Sequence, residues 1–198
     1  MVLDPPERAR RTAAFVRELL VATASRPPHL GCSGLHEWAM LYRSAEVRHA
    51  AWPLRLGAAG TDAVVEALPV RCTHHDAFRF FTADARPRNA LQPTRSDQLA
   101  LEQPGCLHAT MDLYKWAYKL DPATPSELVA DCLELAVEVR EWDMRASPYD
   151  LTALGYEPVR IETPAGRAEY AAAQARFAAR AAQLRQRLTG LCDTLLDA

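Results

Sequence analysis

Apolar residues recur at helical spacing over most of the chain. Between the second and third of these periodic segments, residues 53–105 carry no comparable period and are rich in proline. We therefore predict a mainly α fold. It is a single helical domain over residues 1–198, a helical bundle with a long loop-rich insertion (about 53–105) and a long C-terminal helix. The predicted helices run to Ser25, from about Gly34 to Trp52, from Cys106 to Lys119, from Ser126 to about Arg145, and onward from Thr163.

The last predicted helix carries a heptad pattern. Tyr170, Phe177, Leu184 and Leu191 recur at a seven-residue spacing, which is typical of a coiled-coil packing seam. Such a seam either closes the bundle within one chain or pairs two chains, so both a monomer and a homodimer stay open. The many alanines around the seam favour packing within the chain.

Composition excludes some classes of function and compartment. The net charge of −2 gives no overall basic field of the kind that attracts nucleic acid non-specifically. The 5 cysteines are odd in number and form no CxxC pair, which favours a reducing compartment over a disulfide framework. No apolar stretch predicts a signal peptide or a membrane span, so we expect a cytoplasmic protein without membrane contact.

The insertion contains the densest candidate chemistry. Arg71-Cys-Thr-His-His-Asp-Ala-Phe-Arg-Phe-Phe81 joins adjacent histidines to an aspartate, arginines and phenylalanines. Adjacent histidines point in different directions on a strand or a helix, so at most one of His74 and His75 is expected to share a site with His108. The alternative is a turn with surface histidines. We predict that this stretch forms the wall of a site on the following helix.

That following helix carries a polar strip between two apolar lines. His108 and Asp112 lie one turn apart on the strip, followed by Lys115 and Lys119. The strip faces either an internal cavity, where its imidazole and carboxylate would bind a metal ion, or solvent. Glu102, just before the helix, adds a carboxylate to the same region.

A second pair of candidate ligands lies in the predicted second helix. Glu46 and His49 are three residues apart, so on a helix they would be neighbours able to hold one metal ion. The alternative is a core histidine beside a surface acid. His36-Glu37 lacks the second histidine of HExxH, which excludes a zincin, and no dinucleotide, P-loop or hydrolase-elbow motif occurs. A further alternative is a nucleophilic Cys106 with His108 or His75 as its base.

These residues together predict a metal-dependent enzyme acting on a small, anionic substrate. The cofactor would be a divalent transition metal, for which the ligand types suit iron, zinc or copper. The predicted ligands are Glu46, His49, His74, His108 and Asp112. The acid/base candidates are His75 and Glu102, and the substrate-binding candidates are Arg71, Arg79, Phe78, Tyr114 and Lys115.

Two resemblances to known families accompany this reading. The combination of ExxH and HxxxD resembles part of the motif of heme-oxygenase-like di-iron oxygenases, although Lys115 stands where those proteins have a second histidine. More extensively, the chain from Phe15 onward resembles actinobacterial proteins known as 3-methyladenine DNA glycosylases. The segments that carry this resemblance are 29–39, 71–81, 102–120 and 143–151.

The second resemblance implies an alternative function, a DNA base-excision glycosylase that releases alkylated purines. Tyr114, Trp116 and Tyr118 would then stack the extracted base, and Asp121 or Asp131 would supply the carboxylate. DNA would be the partner, in place of a small molecule. A third alternative is a non-catalytic interaction protein that uses the C-terminal seam.

Overall fold

The mainly α prediction is confirmed. A computed structural model describes residues 7–197, and these residues contain eight α-helices and isolated β-bridges but no strand. The helices are α1 (Glu7–Ala24), α2 (Leu35–Ala39), α3 (Gly57–Ala67), α4 (His75–Phe78), α5 (Gln98–Leu101), α6 (Leu107–Lys119), α7 (Ser126–Arg145) and α8 (Pro164–Asp197). Within the described chain, no helix has the length and apolar character needed to cross a membrane.

Four long helices form the bundle. α6 packs against both α7 and α8, and α1 packs along α8. The ion pairs Arg180–Glu138 and Arg187–Asp131 run in opposite order along α8 and α7, so these two helices are antiparallel. One hydrophobic cluster extends through the bundle from Ala13 on α1 to Cys192 on α8.

The heptad seam of α8 lies within this core. Tyr170 is 0 %, Phe177 8 % and Leu184 9 % exposed, and Leu191 packs against the same cluster. An apolar stripe buried this way contributes to stability through area removed from water, about 25 cal/mol per Å². The seam therefore closes the bundle inside one chain, as its alanine content favoured.

The prediction of a helix from Gly34 to Trp52 is wrong. The helix α2 stops at Ala39, and the chain then runs through turns to Trp52. Arg43 has φ 51°, and its backbone N–H donates to Oδ1 of Asp62 at 2.8 Å. The apolar residues Leu41 and Tyr42 are still buried, so the stripe is real but serves two separate contacts.

The loop-rich insertion is ordered around short helices. It contains α3, α4 and α5, and Arg26, which follows α1, donates to the carbonyls of Leu99 at 2.5 Å and Glu102 at 2.9 Å. These bonds fix the end of α5 against α1. The insertion thereby covers the polar strip of α6 and supplies part of its surroundings.

Candidate metal centre and histidine cluster

The polar strip of α6 faces the protein interior at its beginning and solvent at its end. His108 and Asp112 are partly buried, whereas Lys119 is exposed. The apolar residues on either side, Leu113 and Trp116, are 0 % and 2 % exposed and hold α6 in the core. The first half of the strip therefore faces the interior and the second half faces solvent.

His74 lies over this strip. It directly precedes α4 in an extended conformation and is 2 % exposed. Its Nε2 atom is 3.4 Å from Oδ2 of Asp112 and 3.6 Å from Oε2 of Glu102. Neither contact has the geometry of a hydrogen bond, and neither ring nitrogen of His74 has a hydrogen-bond partner. A buried imidazole without protein partners is unusual, and a bound ion would satisfy it.

Glu102 follows directly after α5 and is held by neighbouring polar groups. Gln98 Nε2 donates to its Oε2 at 3.0 Å, and Thr23 Oγ1 donates to its Oε1 at 3.3 Å. Burial raises the pKa of Glu102, an effect that His74 only partly opposes. Arg185 on α8 is buried, and the charge of Glu102 acts on it in turn.

Asp112 is the more acidic carboxyl group of the pair. Burial works against its ionisation, but His74 and Lys115 outweigh that effect and lower its pKa. Lys115, one turn further along α6, forms a close ion pair with Asp112 and also lies 3.7 Å from Asp76. Ligand atoms of His74, Glu102 and Asp112 all lie within 4.8 Å of one another.

A second cluster lies on the other side of His108. It consists of His36 on α2, His108 and Asp143 on α7, and its ligand atoms also lie within 4.8 Å of one another. The ring of His108 packs edge-on against His36 with centroids 4.7 Å apart and stacks on His74 at 5.4 Å. Burial lowers the pKa of His108 to about 3, helped by the charge of His36, so His108 is neutral.

His36 and Asp143 form a buried ion pair. His36 Nε2 lies 3.1 Å from Oδ1 and 3.2 Å from Oδ2 of Asp143, and Arg140 Nη1 donates to Oδ2 at 3.1 Å. Burial alone would lower the pKa of His36, but the charge and hydrogen bond of Asp143 raise it well above its usual value. A protonated imidazole cannot bind a metal, so this cluster is a poorer metal site than the first.

The structure brings three of the predicted residues together, with His108 and Lys115 beside them. His74, Glu102 and Asp112 meet, and His74, not His75, reaches His108. The His75 ring instead contacts the Pro93 carbonyl oxygen, with Nδ1 at 3.2 Å. One histidine of the pair thus shares the site, as the alternation argument predicted.

Glu46 and His49 lie apart from both clusters. Both are exposed in the turns after α2, and His49 packs on Tyr149 with ring centroids 5.6 Å apart. They do not sit on a helix, so the spacing argument for a shared ion does not apply. Neither residue belongs to a group of three ligand-type side chains in residues 7–197.

The predicted substrate-binding residues take different positions. Phe78 is buried in the hydrophobic core against Phe81, with ring centroids 5.1 Å apart. Tyr114 is partly buried beside the same core. Arg79 is exposed and lies 3.7 Å from Asp76, and Arg71 lines a small cavity near His36 and His108. Of these five residues, Lys115 alone forms an ion pair with a member of the His74, Glu102 and Asp112 cluster.

Sequence reasoning missed the pairing of His36 with Asp143. The two residues are separated by 107 positions, and no local spacing links them. The one available signal was the unusual His36-Glu37 dipeptide, which fitted no known motif.

Comparison with protein-family models, with curated proteins and with solved structures finds no match to the chain.

Proposed function

We propose that this protein is a metal-dependent enzyme acting on a small anionic substrate, with His74, Glu102 and Asp112 as the metal ligands. The observation that carries the proposal is the lack of hydrogen-bond partners for His74. This imidazole is buried, both its nitrogens lack hydrogen-bond partners, and two carboxylate oxygens lie 3.4 Å and 3.6 Å from Nε2. A divalent cation would satisfy all three side chains.

The ligand set suits a catalytic ion. One imidazole and two carboxylates are ligands that iron, zinc and manganese accept. Three protein ligands leave coordination positions open for water and substrate, which distinguishes catalytic from structural sites. Glu102 then serves as a ligand and not as the acid/base group. His108, stacked on His74 and neutral, can orient that imidazole or exchange a proton beside the site.

Positive charge beside the site favours an anionic substrate. Lys115 contacts Asp112, and Arg79 and Arg95 lie 3.7 Å and 3.5 Å from Asp76, which Lys115 also approaches. Three cations thus surround Asp76, one of which also contacts the metal-ligand candidate Asp112. An anionic group on the substrate would bind to Lys115 next to the metal.

We place the activity in the cytoplasm because all 5 cysteines are free.

Calorimetric titration with Mn²⁺ and Zn²⁺ tests the ligand assignment. Asp112→Asn should weaken binding at least about tenfold, because the amide lacks the carboxylate charge. Asp121→Asn is the matched control, since Asp121 follows the same helix but is exposed. Hydrolysis of small phosphate and carboxylate esters would then be measured for both variants after the metal ion has been added back. Equal binding by wild type and Asp112→Asn would refute the assignment.

A second candidate is the DNA glycosylase implied by the family resemblance. The supporting observation is a cationic cleft between α1 and α6, lined by Arg8, Arg11, Arg95 and Lys119 around the rings of Phe15 and Trp116. The cations suit phosphates, and the exposed ring of Phe15 suits a stacked base. This candidate requires release of alkylated purines from duplex DNA, and Lys119→Ala should reduce the salt dependence of DNA binding by about one phosphate contact.

A further inference from the structure

Cys32 lies next to the buried His36–Asp143 pair. Its Sγ atom is 3.5 Å from His36 Nδ1, and the opposite ring nitrogen of His36 faces Asp143. A thiol, an imidazole and a carboxylate in this order form the arrangement used for nucleophilic catalysis, in which a third group orients the base. No motif in the sequence links these residues, because Asp143 lies 107 positions from His36.

Asp143 fixes the state of the imidazole. The Nε2 atom of His36 must carry a proton to donate to the carboxylate of Asp143. This contact orients the ring so that Nδ1 faces Cys32, whether or not Nδ1 is protonated. Asp143 is 0 % exposed and is itself held by Arg140. The charge and hydrogen bond of Asp143 raise the pKa of His36 well above its usual value, so the imidazole beside Cys32 can carry a proton for transfer.

The backbone at Cys32 is shaped in an unusual way. Ser33 and Gly34, the next two residues, both have positive φ, 50° and 71°. A Cβ on Gly34 would lie 3.3 Å from both Ala146 Cβ and Tyr170 Cε2, so the turn is pressed against the core. A non-glycine residue in the left-handed region is strained, and such strain collects at functional sites.

Cys32 also differs from the remaining cysteines. Burial raises the pKa of Cys72 to about 12 and that of Cys106 well above its usual value, so these thiols stay protonated. Burial likewise raises the pKa of Cys132 and Cys192 to about 11 each. A raised pKa disfavours Cys106 as the nucleophile. Cys32 and Cys106 are both only partly buried, but the Sγ atom of Cys32 contacts an imidazole.

A small cavity opens beside the thiol. Its lining includes Cys32, His36, His108 and Gln103, together with the exposed Arg71 at its edge. The cavity has room for about one water molecule, the second reactant of a hydrolysis. Cys32 is only partly buried, so an acyl donor can approach it from outside, where Arg71 offers a partner for a negatively charged leaving group.

We propose that Cys32, His36 and Asp143 form a second, metal-independent catalytic site that transfers a short acyl group from a donor with an anionic leaving group, such as an acyl phosphate. The Cys32 thiolate attacks the carbonyl carbon, so an S–C bond forms and the C–O bond to phosphate breaks. His36 gives its Nδ1 proton to the departing phosphate. His36 then takes a proton from water, the resulting hydroxide cleaves the thioester, and the acid formed releases its proton to solvent.

The test uses full-length protein with acetyl phosphate as the probe, with and without EDTA because the step needs no metal. Peptide mapping by mass spectrometry should find the acetyl group on Cys32 at least about tenfold faster than on any other cysteine or on N-acetylcysteine. Release of phosphate should continue beyond one equivalent and should stop in Cys32→Ala. Acetylation spread evenly over the cysteines, or at the rate of N-acetylcysteine, would overturn the proposal.

Three variants separate catalysis from folding. His36→Gln should slow acetylation of Cys32 by about 100-fold, as expected for loss of a proton-transfer group. Asp143→Asn should also slow it, and Asp143→Glu should restore part of the rate, which a purely structural role does not predict. If these variants do not fold by circular dichroism, the wild-type comparison among cysteines decides alone. Folded variants that react at the wild-type rate would also overturn the proposal.

Discussion

His74 on the insertion and Asp112 on α6 approach within 3.4 Å, and yet their contact satisfies neither ring nitrogen of His74. The insertion and the bundle thus meet at polar atoms that remain incompletely paired. Folding has already ordered these side chains and removed them from water, so a ligand that binds there gains from a preorganised site. This relationship distinguishes His74 from His36, whose Nε2 atom has a hydrogen-bond partner in Asp143.

Lys115 competes with a metal ion for Asp112. It forms a close ion pair with the carboxylate, so a bound cation would face both repulsion and the loss of that pair. We predict that Lys115→Met tightens Mn²⁺ binding by about tenfold, as expected for about 1.4 kcal/mol of relieved competition. The same variant should bind an anionic substrate more weakly. Calorimetric titration at low ionic strength measures the first effect, and unchanged or weaker metal binding would contradict it.

Arg55 and Glu162 join the start of the insertion to the segment before α8. Arg55 donates from Nη1 to Oε1 at 3.0 Å and from Nη2 to Oε2 at 3.1 Å. Burial opposes ionisation of Glu162, but the hydrogen bonds and charge of Arg55 lower its pKa below the usual 4.5. Glu162→Gln should cost about 1–2 kcal/mol of unfolding free energy at pH 7.

The sign of the shift gives a pH test of this pair. Because the pKa of Glu162 is lowered in the folded protein, this group stabilises the fold at pH values above its usual pKa. That stabilisation disappears as the pH falls through the folded-state pKa. Urea unfolding at pH 7 and pH 3.5 should therefore show a smaller difference between wild type and Glu162→Gln at the lower pH. Glu141→Gln, in the exposed pair with Arg145, should change stability by less than about 0.5 kcal/mol. A pH-independent difference for Glu162→Gln would contradict the argument.

The α8 seam is part of the fold of one chain. Leu184 is 9 % exposed within the core, so Leu184→Asp places a carboxylate among apolar side chains. We predict a loss of about 3–5 kcal/mol in unfolding free energy, independent of protein concentration. The exposed neighbour Gln183 provides the control, since Gln183→Asp should shift stability by only about 0.5 kcal/mol. A variant that stays fully stable but changes its light-scattering mass would show instead that the seam joins two chains.

The sequence predicts the helices well where local signals agree. The predicted limits of α7, Ser126 and Arg145, match the structure because a proline precedes the helix and its apolar stripe is regular. The failure at Gly34–Trp52 has a tertiary cause. The Arg43 backbone bonds to Asp62 on α3, a contact that no periodicity in the second segment encodes.

The candidate site, like the fold, was predictable where local spacing determines the geometry and not where tertiary contacts do. His108 and Asp112 share one helix, so their spacing alone indicated a common strip. His74 and Glu102 flank the ends of short helices in the insertion, where loop geometry determines direction, and only their chemistry could be predicted. The approach of Asp143 to His36 depends on how α7 packs beside α2, and sequence spacing contains no trace of it.

Metal content tests the central claim most directly. Protein prepared without a histidine tag, loaded with Mn²⁺, Fe²⁺ or Zn²⁺ and then desalted, would be measured by elemental analysis together with His74→Ala and His49→Ala. Our account predicts about one ion per chain in wild type and in His49→Ala, whose imidazole is exposed and apart from the site, and about 100-fold weaker binding in His74→Ala. No metal in any sample, or full retention by His74→Ala, would contradict it.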